Sequence, residues 1–160
     1  MQDYITTYTK KHFTIMEPKM VDIDINDIAH ALSLMTRANG HFSQFYSVGQ
    51  HSVGCAYEAL ERGYSARVVL GCLLHDGSEA YMADITRPLK QHMSAYLVAE
   101  EKLQNMIFEK FLGQCPSEEE MAQIKSVDDA MLFHEFKCFM NEELDIPEHE
   151  ILTRPAFSTK

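Results

Sequence analysis

The pair His75-Asp76 stands where the most apolar stretch of the chain, Val68 to Leu74, gives way to polar residues. Setting an imidazole and a carboxylate beside Leu73 and Leu74 costs several kcal/mol, roughly, unless they pair with each other or bind a cation. Glu79 follows three residues after Asp76, which on a continuing helix puts it on the same face, one turn from His75. Carboxylates crowded in this way raise one another's pKa unless positive charge neutralises them. Taken alone, His75 and Asp76 read equally well as a polar helix end facing water.

His51 changes that balance. It opens a predicted helix joined to the next by a turn at Gly63-Tyr64, and in such an up-down pair the ends carrying His51 and His75 are neighbours. Asp128 lies in a long C-terminal helix, within Ile124-Lys125-Ser126-Val127-Asp128, and adds a second carboxylate. Two imidazoles and two carboxylates from three helices make a nitrogen–oxygen donor set for one divalent ion such as Mn, Co, Fe, Ni or Zn. The cysteines, Cys55, Cys72, Cys115 and Cys138, contain no CxxC pair. They read as reduced thiols in the packed interior rather than as bridges or ligands.

The elements that must position these groups are helical. Residues 1–26 carry the strand signals, with period-2 alternation at Thr7-Tyr8-Thr9 and at Val21-Asp22-Ile23-Asp24-Ile25 around a break at Glu17-Pro18-Lys19. They predict a short hairpin or arm. Asp27 is the expected N-cap of a first helix ended by Gly40, and 41–49 reads as a loop. Helices follow from about Gln50 to Arg62 and, capped by Ser65, from Ala66 to Leu74. Pro88 breaks helicity, which returns from about His92 to Leu112. Ser117 with Glu120 makes a capping box for a last helix reaching about Glu143. The expected architecture is one all-α domain over 1–160, a compact helical bundle. Its parts are an N-terminal β arm (1–26), a helical core (27–143) and an irregular tail (144–160) containing Pro147 and Pro155.

Composition bounds the partners. A chain of 160 residues with 46% apolar and 24% charged residues is an ordinary globular domain able to bury its own core. A net charge of −10 without a basic, aromatic-interleaved stretch argues against a nucleic-acid polymer as partner. No apolar run approaches the ~20 residues of a membrane span. The start Met1-Gln2-Asp3-Tyr4-Ile5 lacks the basic-then-apolar order of a secretory signal, so a cytoplasmic protein is expected.

Beyond these four groups the local sequence resembles a known family. The order His51, His75-Asp76, Asp128 is similar to the signature of the HD superfamily of metal-dependent phosphohydrolases. The run Leu73-Leu74-His75-Asp76-Gly77-Ser78-Glu79-Ala80-Tyr81, followed by Asp84-Ile85-Thr86-Arg87-Pro88-Leu89-Lys90, resembles the bacterial 5′-deoxynucleotidase branch, as does the stretch from Lys125 to Glu135. Upstream, Asp27 to Ser33, Arg37 to His41 and Tyr46 to Ser52 resemble small phage and bacterial HD hydrolases, some of which cleave deoxynucleoside triphosphates.

The resemblance implies metal ligands at His51, His75, Asp76 and Asp128, a water-orienting or deprotonating carboxylate at Glu79, and an acid near the leaving oxygen or sugar at Asp84. It implies a phosphate-gripping Arg37 and, as an added cation or a plain surface lysine, Lys90. Ala38 departs from the deoxynucleotidase branch, which carries an aromatic there to read the sugar. The implied activity is hydrolysis of nucleotide phosphate esters with one divalent ion (Mn, Co, Zn, Fe, Ni or Mg). A 5′-(deoxy)nucleoside monophosphate is the first substrate class and a deoxynucleoside triphosphate (dATP-type) the second. The alternative from another class is a regulatory module that binds a nucleotide without cleaving it. Relatives are often homodimers, and a methionine face (Met93, Met106, Met121, Met131, Met140) could serve a second copy, although core filling is the plainer reading.

Overall fold

The computed structural model describes residues 2–147 and 150–153, so Pro155 of the expected tail lies outside the described residues. The N-terminal arm is a hairpin of β1 (Ile5–Thr6) and β2 (His12–Phe13), antiparallel, with Ile5 opposite Phe13 and Thr6 opposite His12. Thr7-Tyr8-Thr9, read as a strand, is its turn: Thr7 N–H donates to Lys11 O, Lys10 N–H donates to Thr7 O, and Lys10 sits at φ +70°. Val21 to Ile25 is not a strand either. Met20–Asp22 forms a 3₁₀ turn and Ile25 begins a helix, because Asp24 caps it through Asn26 N–H at 2.8 Å. Alternation of apolar and acidic residues fits a helix entry as well as a strand when a capping residue stands in the middle.

Helix α1 (Ile25–Leu34) is therefore capped three residues before the expected Asp27, and it stops at Leu34 rather than at Gly40. Asp27 is buried and accepts from Thr9 N–H at 2.7 Å and Thr9 Oγ1–H at 2.9 Å, fastening the arm to the bundle. Helix α2 (Val48–Glu61) opens on a capping box made by Ser47 and Gln50, and α3 (Ala66–Leu74) is capped by Ser65 as expected. Helix α3 ends at Leu74, so Glu79 does not continue it. Tight turns lead to a one-turn α4 (Glu79–Met82), and Pro88 opens a one-turn α5 (Arg87–Lys90) instead of only interrupting the chain. Helix α6 (Ser94–Leu112) ends on a left-handed Gly113. Helix α7 (Glu118–Met140) has the expected Ser117–Glu120 box and stops at a left-handed Asn141, short of Glu143.

The chain is thus all-α with a short N-terminal hairpin. One core joins the arm, α1, α3 and α6 through Phe13, Ile28, Leu32, Leu74, Leu103 and Ile107. A second, of Cys55, Ala59, Val68, Cys72, Ile124 and Met131, locks α2, α3 and α7 together. Full burial of each aliphatic or aromatic side chain contributes about 1.5–3 kcal/mol, which makes this three-helix contact a rigid platform. Gly71 on α3 lets α7 come close: a Cβ there would lie 2.6 Å from Ile124 Cδ1. The methionines do not form one face, since Met131 is fully buried and Met106 packs on the core, while Met121 and Met140 are exposed. Among the described residues no helix is long and apolar enough to cross a membrane.

Candidate metal centre

The donors predicted from sequence converge where α2, the end of α3 and α7 meet. His51 lies in the first turn of α2, His75 caps the C-terminus of α3 with Asp76 after it, and Asp128 lies midway along α7. His51 Nε2 is 3.4 Å from His75 Nε2, 3.0 Å from Asp128 Oδ1 and 3.8 Å from Asp76 Oδ2. His75 Nε2 is 3.3 Å from Asp76 Oδ2 and 3.5 Å from Asp128 Oδ1. An ion bonded at ~2.0–2.2 Å to nitrogen and oxygen holds neighbouring donors about 3–3.5 Å apart, so the set has the span a first-row divalent ion needs.

Both imidazoles are also turned the right way. His51 Nδ1–H donates to Glu135 Oε1 at 2.5 Å, and His75 Nδ1–H donates to the Cys72 carbonyl at 2.6 Å. A carbonyl and a carboxylate can only accept, so each Nδ1 carries the proton and each Nε2 is left as a lone-pair donor facing the other. Without a cation the lone pairs and carboxylates repel one another, and protons are drawn in. Burial opposes charge on His75, but Asp76 and Asp128 outweigh it and push the imidazole up to about 10. Burial works against the Asp128 carboxylate, yet the hydrogen bonds from His51 and His75 hold it well below the usual range.

Cys55 is the donor that sequence reasoning missed. It is fully buried on α2, one turn after His51, with Sγ 3.5 Å from His51 Nε2, and it forms a possible metal-holding cluster with His51, His75 and Asp128. The four-residue spacing on one helix was the available signal. Burial, followed by the field of Asp128 and Glu135, pushes this thiol far up. The cysteines are free, as expected, but Cys138 is exposed and not interior.

Glu79 is buried, and among the described residues its Oε2 has no hydrogen-bond partner. Burial first, then Asp76 and Asp84, push its carboxyl well above the ordinary value. Asp84 is raised by burial and lies in the field of Arg37, Asp76, Lys90 and His51. It follows Ala83, whose φ of +96° and ψ of 157° turn the chain back toward the centre, fixed by Ala83 N–H on Glu79 O and by Tyr96 O–H on Ala83 O.

Arg37 is 8% exposed, and its Nε–H donates to Glu135 Oε2 at 3.0 Å, with Nη1 3.6 Å from Asp76 Oδ2. That longer separation is an ion pair rather than a hydrogen bond. Burial lowers the guanidinium, but Glu135, Asp76 and Asp128 keep it above its ordinary value. Lys90 is not a free surface lysine: its Nζ pairs with Glu100 at 2.9 Å. Arg87 reaches Asp128 Oδ2 and Asp129 Oδ1 at 3.2 Å each, and Lys125 pairs with Asp129 at 2.5 Å. A cavity of about 1090 Å³, lined by Ile28, Leu32, Val53, Tyr57 and Leu74 among others, has none of the donors in its lining.

No family model matches the chain. It is 41% identical over 108 residues to the uncharacterized protein YfdR of Escherichia coli (strain K12), an overlap of 68% of this chain and 58% of that protein. It is 30% identical over 106 residues to the uncharacterized protein RCAP_rcc00048 of Rhodobacter capsulatus, covering 63% of this chain and 54% of that protein. The chain thus spans somewhat more than half the length of these curated relatives.

Proposed function

We propose that this chain is a metal-dependent phosphohydrolase of the HD type that cleaves the phosphate ester of 5′-(deoxy)nucleoside monophosphates. His51, His75, Asp76 and Asp128 would hold one divalent ion (Mn, Co, Zn, Fe, Ni or Mg). The observation that carries the reading is the convergence of four donor residues, two of them imidazoles with fixed tautomers, in the field of a buried carboxylate, Glu79, whose Oε2 has no hydrogen-bond partner among the described residues. A purely structural metal site has no use for that oxygen, and structural zinc is usually bound through several thiolates.

The ion, when bound, would polarise a phosphoryl oxygen and make water more acidic. The chain's own groups supply the rest. Glu79, with its free oxygen, is the group to take a proton from the attacking water, and its desolvated setting strengthens it as a base. Among the described residues Nε is the only guanidinium nitrogen of Arg37 with a hydrogen bond, so both Nη groups remain to grip phosphate oxygens. Asp84 stands in the same field, where it would meet the leaving oxygen or the sugar. Nearby cations that a triphosphate would need are engaged already: Arg87 and Lys125 by Asp128 and Asp129, and Lys90 by Glu100. This favours one phosphate over three.

The deciding experiment is a panel of nucleoside mono- and triphosphates incubated with Mn²⁺, Co²⁺, Zn²⁺ and Mg²⁺, with released phosphate, diphosphate and triphosphate distinguished. Phosphate from monophosphates is expected. Triphosphate release would replace the substrate class, and tight nucleotide binding with no release would make the chain a regulatory module.

A further inference from the structure

Glu135 takes no part in the donor set, yet it is one of the most completely enclosed charges in the chain, with no exposed side-chain surface. A carboxylate that far from water costs several kcal/mol, roughly, unless donors surround it. Its two oxygens are divided between two partners of different kinds. Oε1 accepts from His51 Nδ1–H at 2.5 Å, and Oε2 accepts from Arg37 Nε–H at 3.0 Å. The Tyr46 hydroxyl makes a further hydrogen bond to the same carboxyl. Asp128 and Glu135 are seven residues apart on α7, two turns and about 10.5 Å along its axis, hence on one face. One helix therefore grips the His51 ring at both nitrogens, through Asp128 at Nε2 and Glu135 at Nδ1.

We infer that Glu135 is a positioning residue that ties the metal ligand His51 and the phosphate-facing Arg37 into one rigid unit. The inference rests on the metal-centre reading given under Proposed function. A simple salt bridge to Arg37 would leave Oε1 indifferent to the imidazole. Here Oε1 instead sets which nitrogen of His51 carries the proton, and so keeps Nε2 free as a donor. Oε2, by taking Nε, turns the Nη pair of Arg37 toward the Asp76 side of the centre. Metal affinity and phosphate affinity thus depend on the same buried carboxylate.

Glu135→Gln separates the two ideas, because an amide of the same shape has only one acceptor oxygen. If that oxygen serves His51, the NH₂ meets the Arg37 Nε–H donor against donor. If it serves Arg37, the NH₂ pushes the His51 proton onto Nε2 and removes a ligand. Three measurements are made on unaltered and variant full-length chains: Co²⁺ affinity, the visible spectrum of the Co²⁺-loaded protein, and affinity of the loaded protein for inorganic phosphate. The variant is expected to bind Co²⁺ about 10–100-fold more weakly, with a changed spectrum. Its phosphate affinity at saturating Co²⁺ should fall as well, and with a cleaved substrate KM should rise alongside a fall in kcat.

If the unaltered chain binds no Co²⁺, the metal-centre reading falls and this inference with it. If the unaltered chain binds Co²⁺ and the glutamine variant matches it in affinity, spectrum and phosphate binding, only the inference is overturned. Should the glutamine variant fail to fold, Tyr46→Phe carries the test by removing one of the hydrogen bonds that fix Glu135. A Co²⁺ affinity ~2–10-fold weaker is expected, and an unchanged affinity and spectrum overturns the inference.

Discussion

Replacing Gly71 by alanine tests how helix spacing sets the distance between donors. Gly71 and Ile124 each lie four residues, about one turn, before a donor, His75 on one side and Asp128 on the other. Their contact therefore sits one turn below the 3.5 Å approach of His75 Nε2 to Asp128 Oδ1. A Cβ at Gly71 would stand 2.6 Å from Ile124 Cδ1 and 3.4 Å from Cγ1. Carbon atoms settle ~3.5–4.0 Å apart, so about 1 Å must be found by turning Ile124 or by parting α3 from α7. Overpacking of this kind costs ~1–3 kcal/mol. Alanine returns up to ~1 kcal/mol of helix propensity, which leaves a net loss of about 1 kcal/mol. Parting the helices would stretch the His75–Asp128 approach beyond coordination range, and Co²⁺ affinity should drop by roughly an order of magnitude or more. Ile124→Val removes Cδ1 at ~0.5–1.5 kcal/mol by itself. In the double variant the 2.6 Å contact is gone, so stability and Co²⁺ binding should return close to those of the Ile124→Val chain. Urea unfolding followed by circular dichroism, with Co²⁺ titrations on the same four proteins, measures both quantities. A Gly71→Ala chain that is more stable by ~1 kcal/mol and binds Co²⁺ normally would refute the reasoning, because propensity alone predicts that result.

Other outcomes follow from the same geometry. His51→Ala or Asp76→Ala should abolish both bound metal and turnover, read by metal analysis and phosphate release. Glu79→Gln should keep the metal yet lower kcat by ~10²-fold or more, and retained turnover would remove Glu79 from its role. In the metal-free protein His75 is held up to about 10, above the ~6.5 of the unfolded chain, so its contribution to stability is complete below pH ~6.5 and is lost as the pH rises through about 10. Urea midpoints of the metal-free chain should therefore fall between pH 7 and 10, and less so in Asp76→Asn. Ala83→Gly should relieve a backbone strain of ~1–3 kcal/mol, offset by the ~0.5–1 kcal/mol that glycine loses in ordering, and leave the chain equal or more stable in the same assay.

Much was legible in the residues alone. Ser65, Ser117 and Glu120 mark their helix starts because a hydroxyl or carboxylate satisfying orphan N–H groups is a local interaction, complete within four residues. The pairing of His51 with His75 and Asp76 followed from two apolar helices joined by a turn too short to let them diverge. The arm was harder: Val21 to Ile25 alternates like a strand, and only the cap formed at Asp24 and the burial of Ile23 decide for a helix entry. What tertiary structure alone decided are the contacts between residues far apart in sequence. Arg37 and Glu135 meet across 98 positions, and no local pattern says which acid a buried arginine will find. Lys90 finds Glu100, Arg87 finds Asp128, and Cys55 enters the donor cluster, each because helix packing at close range fixes which side chains face one another. Residue types and their spacing pointed to a helical chain that gathers potential metal donors. The angles and separations of α2, α3 and α7, set by side-chain volumes such as those at Gly71 and Ile124, determined how tightly its donors converge.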